Sequence, residues 1–202
     1  MGIVEEAATY ARETYPAGDW PHITEVVTHG QWLAKKTGAD EEIVTLAAYF
    51  HDISRATMGP EEHNIKSADI ARKWLSQRGY PADRIERVAE AIIAHMRPVV
   101  GPERESVSIE GRIVYDADKI SRAQGTGLLG ALVRLGRQIP WENLSYEQLA
   151  VAIKRGRDVT QEAYRTLYTD AARELAGPGY QRAIEFCDSL LEMEVFQAQT
   201  AK

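Results

Sequence analysis

The chain has 202 residues, of which 44% are apolar and 27% are charged, values close to those of soluble globular proteins. This composition predicts a folded domain with a buried core and excludes disordered and membrane-spanning classes. The net charge of −6 disfavours binding to nucleic acid through the phosphate backbone, and the single Cys187 excludes an internal disulfide. The N-terminal residues carry acids where a signal peptide would be basic, so we expect a cytoplasmic protein.

Apolar residues recur at helical spacing along the chain, without the period-two alternation of a β-strand. The pattern predicts helices at about residues 4–14, 22–37, 40–50, 65–78 and 85–95, then an irregular segment over 97–110. A periodic segment over 109–123 leads into a glycine-containing stretch, and helices follow at about 146–155, 159–175 and 180–198. We therefore predict an all-α bundle of about 8–10 helices, with residues 1–202 forming a single domain.

The third predicted helix has an unusual end. Its apolar face leads directly into His51 and Asp52, two strong metal ligands side by side. Imidazole and carboxylate together suit a first-row divalent ion. Neighbours on a helix point about 100° apart, so one ion can take both only near a helix terminus or where the side chains converge. The alternative interpretation is a capping aspartate beside a half-buried histidine.

Other polar residues also interrupt apolar helix faces. A buried histidine or aspartate must be hydrogen-bonded or paired, and a metal ion would serve several of them at once. The residues concerned are His22, His51, Asp52, His63, His95, Asp116 and Asp118.

Three stretches carry a resemblance to a known family: DWPHITEV at 19–26, AAYFHDI at 47–53 and DADKI at 116–120. The chain resembles the HD-domain metal-dependent phosphohydrolase superfamily, and most of all its small stand-alone bacterial members. Those members also carry a histidine near the start of the next helix and another at the end of the helix after it, here His63 and His95. The resemblance covers about residues 15–135, the expected metal-site core, and we expect the C-terminal helices, 145–202, to pack on it.

The resemblance implies one divalent ion with four protein ligands. These ligands are His22, His51, Asp52 and Asp118. Asp118 is preferred to Asp116 because the family pattern places the ligand directly before a basic residue, and Asp116 is expected to form hydrogen bonds near the site. His29 matches no ligand position and is expected to be packed or solvated.

Such a ligand set leaves open positions for water and a phosphate oxygen, which favours Mn²⁺, Mg²⁺, Fe²⁺, Co²⁺ or Ni²⁺ and allows a second ion. Asp52 could also accept a proton from the water. His63 and His95 would contact the substrate phosphate, hold a second ion or orient the ligands. Basic residues that could bind phosphate are Arg55, Lys66, Arg97, Lys119 and Arg122.

These features predict a hydrolase of phosphate esters or anhydrides in small molecules, with nucleotides as the favoured substrates and neither nucleic acid nor membrane as a partner. One alternative is a catalytically silent sensor that keeps the fold and binds a ligand without turnover. Another is a di-iron oxygenase on the same helical scaffold, which the extra histidines His63 and His95 would allow. The glycine-containing helices and the long final helix permit a homodimer without requiring one.

Overall fold

The structure is a computed structural model and describes residues 2–96 and 105–197. The fold is all-α, as predicted, and no β-strand occurs in these two ranges. The helices are α1 Ile3–Thr14, α2 Trp20–Thr37, α3 Glu41–Phe50, α4 Ile53–Met58, α5 His63–Ser76, α6 Ala82–Ala94, α7 Ile109–Ser121, α8 Gly127–Gln138, α9 Tyr146–Arg165, α10 Asp170–Leu191 and α11 Glu194–Gln197. None of them is long and apolar enough to cross a bilayer.

The chain forms two compact units, Met1–Asp118 and Lys119–Lys202, with the boundary inside α7. A single domain with the C-terminal helices packed on the core stays a prediction.

Helix α3 is the centre of the first unit. It contacts α1, α2, α5 and α6, and its residues from Ile43 to Ala48 and Phe50 are buried. Asp40 caps the helix by accepting a hydrogen bond from the Ile43 backbone N–H over 3.2 Å. Because α3 is packed on several sides, its C-terminal end is held in a defined place. That end carries His51 and Asp52.

The second unit is built from a π-helical turn at Arg122–Thr126 followed by α8, α9 and α10. Its core includes Leu128, Ile153 and Cys187, so Cys187 is a buried core residue, as expected. The backbone turns at Gly125, whose φ of 109° lies in the region that glycine tolerates best.

The helices after residue 145 differ from those predicted. Helix α9 continues through Gly156, where a break was expected. A Cβ at this position would lie 2.6 Å from Cα of Leu128, so the glycine serves close helix packing and does not end the helix. Helix α10 continues through Pro178 and ends at Leu191. Between them, Thr169 starts α10 by accepting a hydrogen bond from the Ala172 N–H over 3.1 Å.

Candidate metal centre

The chain bends at the junction between α3 and α4, and this bend brings His51 and Asp52 together. His51 keeps helical angles, whereas Asp52 has φ −110° and ψ 10°, close to the bridge region where many active-site residues lie. As a result, Nε2 of His51 lies 3.9 Å from Oδ2 of Asp52. The two side chains thus converge at a helix end, and this is the arrangement that adjacent residues need in order to bind one ion.

A first cluster joins His22, His51 and Asp118, which come from α2, the end of α3 and α7. Nε2 of His22 lies 3.2 Å from Oδ1 of Asp118, and Nε2 of His51 lies 4.0 Å from the same oxygen. The three ligand atoms lie within 4.8 Å of one another, a separation that suits a common ion. His51 and Asp118 are buried, and His22 is partly exposed.

A second cluster joins Asp52, His63 and His95, all of them buried. Oδ1 of Asp52 lies 3.1 Å from Nε2 of His63 and 3.5 Å from Nε2 of His95. The two imidazole nitrogens are 3.3 Å apart. Because Oδ2 of Asp52 faces His51, the Asp52 carboxylate lies between the two clusters.

Backbone carbonyl groups fix the orientation of three imidazoles. Nδ1 of His51 lies 2.8 Å from the Ala48 oxygen, Nδ1 of His63 lies 2.8 Å from the Pro60 oxygen, and Nδ1 of His95 lies 2.5 Å from the Ile92 oxygen. A carbonyl oxygen only accepts hydrogen bonds, so Nδ1 carries the proton and Nε2 of a neutral ring presents a lone pair. Three such lone pairs therefore point at the carboxylates.

This donor set fits a divalent cation. Nε2 of His51 is buried and has no hydrogen-bond partner among the described residues. The neutral rings of His63 and His95 cannot donate to each other or to Asp52 through Nε2. Buried acceptors facing one another without a donor are unfavourable, and a cation at their centre removes the conflict.

The protonation states at the corner also favour metal binding. Burial lowers the pKa of His51 to about 4, outweighing the neighbouring carboxylates, which act to raise it. Burial acts to raise the pKa of Asp52, but the interactions of its carboxylate with the His95 and His51 imidazoles outweigh burial and bring that pKa below its usual range. Neutral imidazole and ionised carboxylate are the forms that bind metals.

The predicted phosphate-binding residues have different surroundings. Arg55 donates from NH1 to Oδ2 of Asp52 over 3.0 Å, and half of its side chain is exposed. Nζ of Lys66 instead donates to the Glu61 carbonyl over 2.8 Å. Lys119 and Arg122 belong to the second unit, Lys119 near the end of α7 and Arg122 in the π-helical turn. Arg97 lies outside the described residues.

Two other polar residues lie outside both clusters. Asp116 is fully buried, two residues before Asp118 in α7, and is in neither of the two ligand groups. The half-buried His29, in α2, is in neither group either.

Several buried polar residues near the clusters were not predicted from the sequence. Tyr15 is 5% exposed, and its hydroxyl has no hydrogen-bond partner among the described residues. Burial, assisted by the nearby Asp52 carboxylate, raises the pKa of Tyr15 well above its ordinary value. Ser54 and Ser67 are fully buried behind Asp52. Single hydroxyl groups on apolar helix faces leave little signal in a sequence, although Ser54 lies only two residues after Asp52.

A sequence profile of the HD domain matches residues 20–123. The chain is 26% identical over 178 residues to an uncharacterized protein of Bacillus subtilis strain 168, YpgQ, covering 85% of this chain and 82% of that protein.

Solved structures share the fold. The crystal structure of Bacillus subtilis YpgQ in complex with ADP superposes with a TM-score of 0.70 at 22% identity, covering 94% of this chain and 93% of that one. The Lin1889 protein of Listeria innocua gives a TM-score of 0.71 at 21% identity over 96% and 95% of the two chains. A predicted HD superfamily hydrolase from an uncultured Thermotogales bacterium gives 0.59 at 24% identity, covering 93% and 90%.

Proposed function

Since this chain belongs to the HD-domain family, we propose that it is a metal-dependent phosphohydrolase that cleaves a phosphate ester or anhydride of a small molecule. The observation that carries the proposal is the pair of neighbouring His/Asp clusters, in which Asp52 of the second cluster lies 3.9 Å from His51 of the first. The buried Nε2 of His51 has no hydrogen-bond partner among the described residues. A nucleotide is the favoured substrate class, and the ADP complex of the similar YpgQ structure supports this choice. The proposal includes the cytoplasmic location expected from the sequence.

The proposed ligands of the ion are His22, His51, Asp52 and Asp118. They offer two imidazole nitrogens and two carboxylates, which suits Mn²⁺, Mg²⁺, Fe²⁺, Co²⁺ or Ni²⁺. A divalent ion in such a site lowers the pKa of a bound water and polarises a phosphoryl oxygen.

The protein's own groups have separate proposed roles. Asp52 accepts the proton of the attacking water, because one of its carboxylate oxygens faces each cluster. His63 and His95 hold a second ion through the Nε2 lone pairs, whereas binding a substrate phosphate oxygen requires a second proton on the ring so that Nε2 can donate. Arg55, paired with Asp52 and half exposed, donates its remaining N–H groups to the phosphate. Lys66, Lys119 and Arg122 are the further proposed phosphate contacts.

The decisive experiment is a hydrolysis assay on metal-stripped protein. A panel of nucleoside mono-, di- and triphosphates is incubated with each divalent ion added back, and phosphate and pyrophosphate release are measured. His51→Ala should lose the activity, whereas the matched control His29→Ala, which changes a histidine outside both clusters, should retain it. Absence of release with every ion, or equal activity of wild type and His51→Ala, would refute the proposal.

Two further outcomes would identify the alternatives. Tight nucleotide binding without turnover under any ion would indicate a sensor. The second cluster, Asp52 with His63 and His95, is the observation that favours a di-iron oxygenase. That alternative requires two irons per chain with a visible absorption band, so elemental analysis and an absorption spectrum of the purified protein separate it from the phosphohydrolase.

A further inference from the structure

Helix α4 starts at Asp52, but Asp52 does not cap it. Aspartate is among the best N-cap residues because its carboxylate accepts hydrogen bonds from the first free N–H groups of the helix. Asp52 occupies the N-cap position of α4 and makes no such bond. Its carboxylate is directed at His63, His95 and Arg55 instead.

A serine from another helix takes over the capping. The backbone N–H of Ser54, two residues after the N-cap, donates to Oγ of Ser67 in α5 over 3.1 Å. Both serines are completely buried, so this N–H has no access to water. Ser67 therefore supplies to α4 the acceptor that Asp52 would ordinarily supply.

The same hydroxyl continues a chain of hydrogen bonds to the second cluster. Oγ of Ser67 donates to Oγ of Ser54 over 3.1 Å, and Oγ of Ser54 donates to the backbone carbonyl of His63 over 2.8 Å. Each hydroxyl thus donates once and accepts once, and the direction of every bond is fixed. The start of α4, which carries Asp52, is tied to the start of α5, which carries His63.

We propose that Ser67 is a positioning residue that caps α4 from outside and thereby leaves the Asp52 carboxylate free to hold a metal ion. Without the Ser67 hydroxyl, the buried N–H of Ser54 has no acceptor, and the Asp52 carboxylate is the group placed by sequence to replace it. Asp52 then turns from the histidines toward its own helix. The consequence for metal binding rests on the proposed metal site, whereas the exchange of caps does not.

The first test is the affinity for Mn²⁺ of the metal-stripped protein, measured by calorimetric titration. Ser67→Ala should bind Mn²⁺ about 10–100-fold more weakly, the range found when groups that orient metal ligands are removed. Ser76→Ala is the matched control, since Ser76 is an exposed serine of the same helix, and it should bind like wild type. If Ser67→Ala does not fold, Ser67→Cys places a larger but weaker acceptor at the same position and should give a smaller loss in the same direction.

The second test follows amide hydrogen exchange at Ser54 in the metal-free protein. Asp52→Ala should leave the Ser54 amide protected, because Ser67 still caps it. Ser67→Ala should also leave it protected, because Asp52 now caps it, and only the double variant should lose protection. A purely structural role of Ser67 would not produce this pattern.

Two results would overturn the proposal. One is Mn²⁺ affinity in folded Ser67→Ala equal to that of wild type. The other is full loss of Ser54 protection in Ser67→Ala alone. If wild type binds no Mn²⁺, the titration is repeated with Mg²⁺, Fe²⁺, Co²⁺ and Ni²⁺. If it binds none of them, the proposed function fails, and the exchange pattern still decides whether Ser67 and Asp52 compete for the same helix start.

Discussion

The stability of the metal-free protein should fall in acid because of His51. Its imidazole is completely buried, and burial lowers its pKa from 6.5 to about 4. Between these pH values the unfolded chain binds a proton at His51 that the folded chain does not bind. The free energy of unfolding therefore decreases as the pH falls from 6.5 to 4, by about 1.4 kcal/mol per pH unit. Over this window of 2.5 units the loss attributable to His51 is about 3 kcal/mol.

Urea unfolding at a series of pH values, in the presence of a chelator, measures this loss. His51→Gln removes the titrating group and keeps a polar side chain, so its free energy of unfolding should decline less steeply between pH 6.5 and 4 than that of wild type. Asp52 does not interfere, because its lowered pKa makes its contribution disappear only below the ordinary value of 3.8. A constant difference between wild type and His51→Gln across the whole window would refute the reasoning.

Three other changes test the site and the packing. Arg55→Ala should raise the KM for a phosphorylated substrate about tenfold or more, which corresponds to the loss of one charge-assisted hydrogen bond. Its melting temperature should change little, because the side chain is half exposed; steady-state kinetics and calorimetry measure the two effects. Mn²⁺ at 100 times its dissociation constant should stabilise the stripped protein by about 2.7 kcal/mol, and a melting temperature unaffected by Mn²⁺ would contradict a folded-state site. Gly156→Ala should destabilise the protein by about 1–3 kcal/mol, because the new Cβ would meet Cα of Leu128 at 2.6 Å. Gly136→Ala, whose Cβ would meet nothing within 4 Å, should stabilise the protein by about 0.5–1 kcal/mol, and equal melting temperatures of the two variants would contradict the packing role of Gly156.

The all-α class and most helices of the first unit could be predicted because apolar periodicity is a local property of the sequence. The ends near Asp40 and Gly38 carry chemical signals, a capping carboxylate and a left-handed glycine, and they lie where those signals indicate. The approach of His22, His51 and Asp118 could be anticipated only from the order of motifs, since no periodicity places α2 beside α7.

Other features depend on tertiary contacts that a sequence does not display. Glycine is a residue type that often ends a helix, but at Gly156 the lack of a side chain serves the packing against Leu128. Ser67 is an unremarkable polar residue in α5 until its bond to the Ser54 N–H is seen. The position of Asp52 between two clusters depends on the φ and ψ of a single residue, and no pattern of residue types specifies those angles.

The three carbonyl groups that hold the imidazoles have one further consequence. Each accepts a hydrogen bond from the histidine three residues later in the chain: Ala48 from His51, Pro60 from His63 and Ile92 from His95. The orientation of each ring is thus set by covalently near backbone rather than by the neighbouring helices. These three rings therefore need not turn when an ion enters, so reloading after chelation should follow the water-exchange rate of the incoming ion and not a refolding step of the protein.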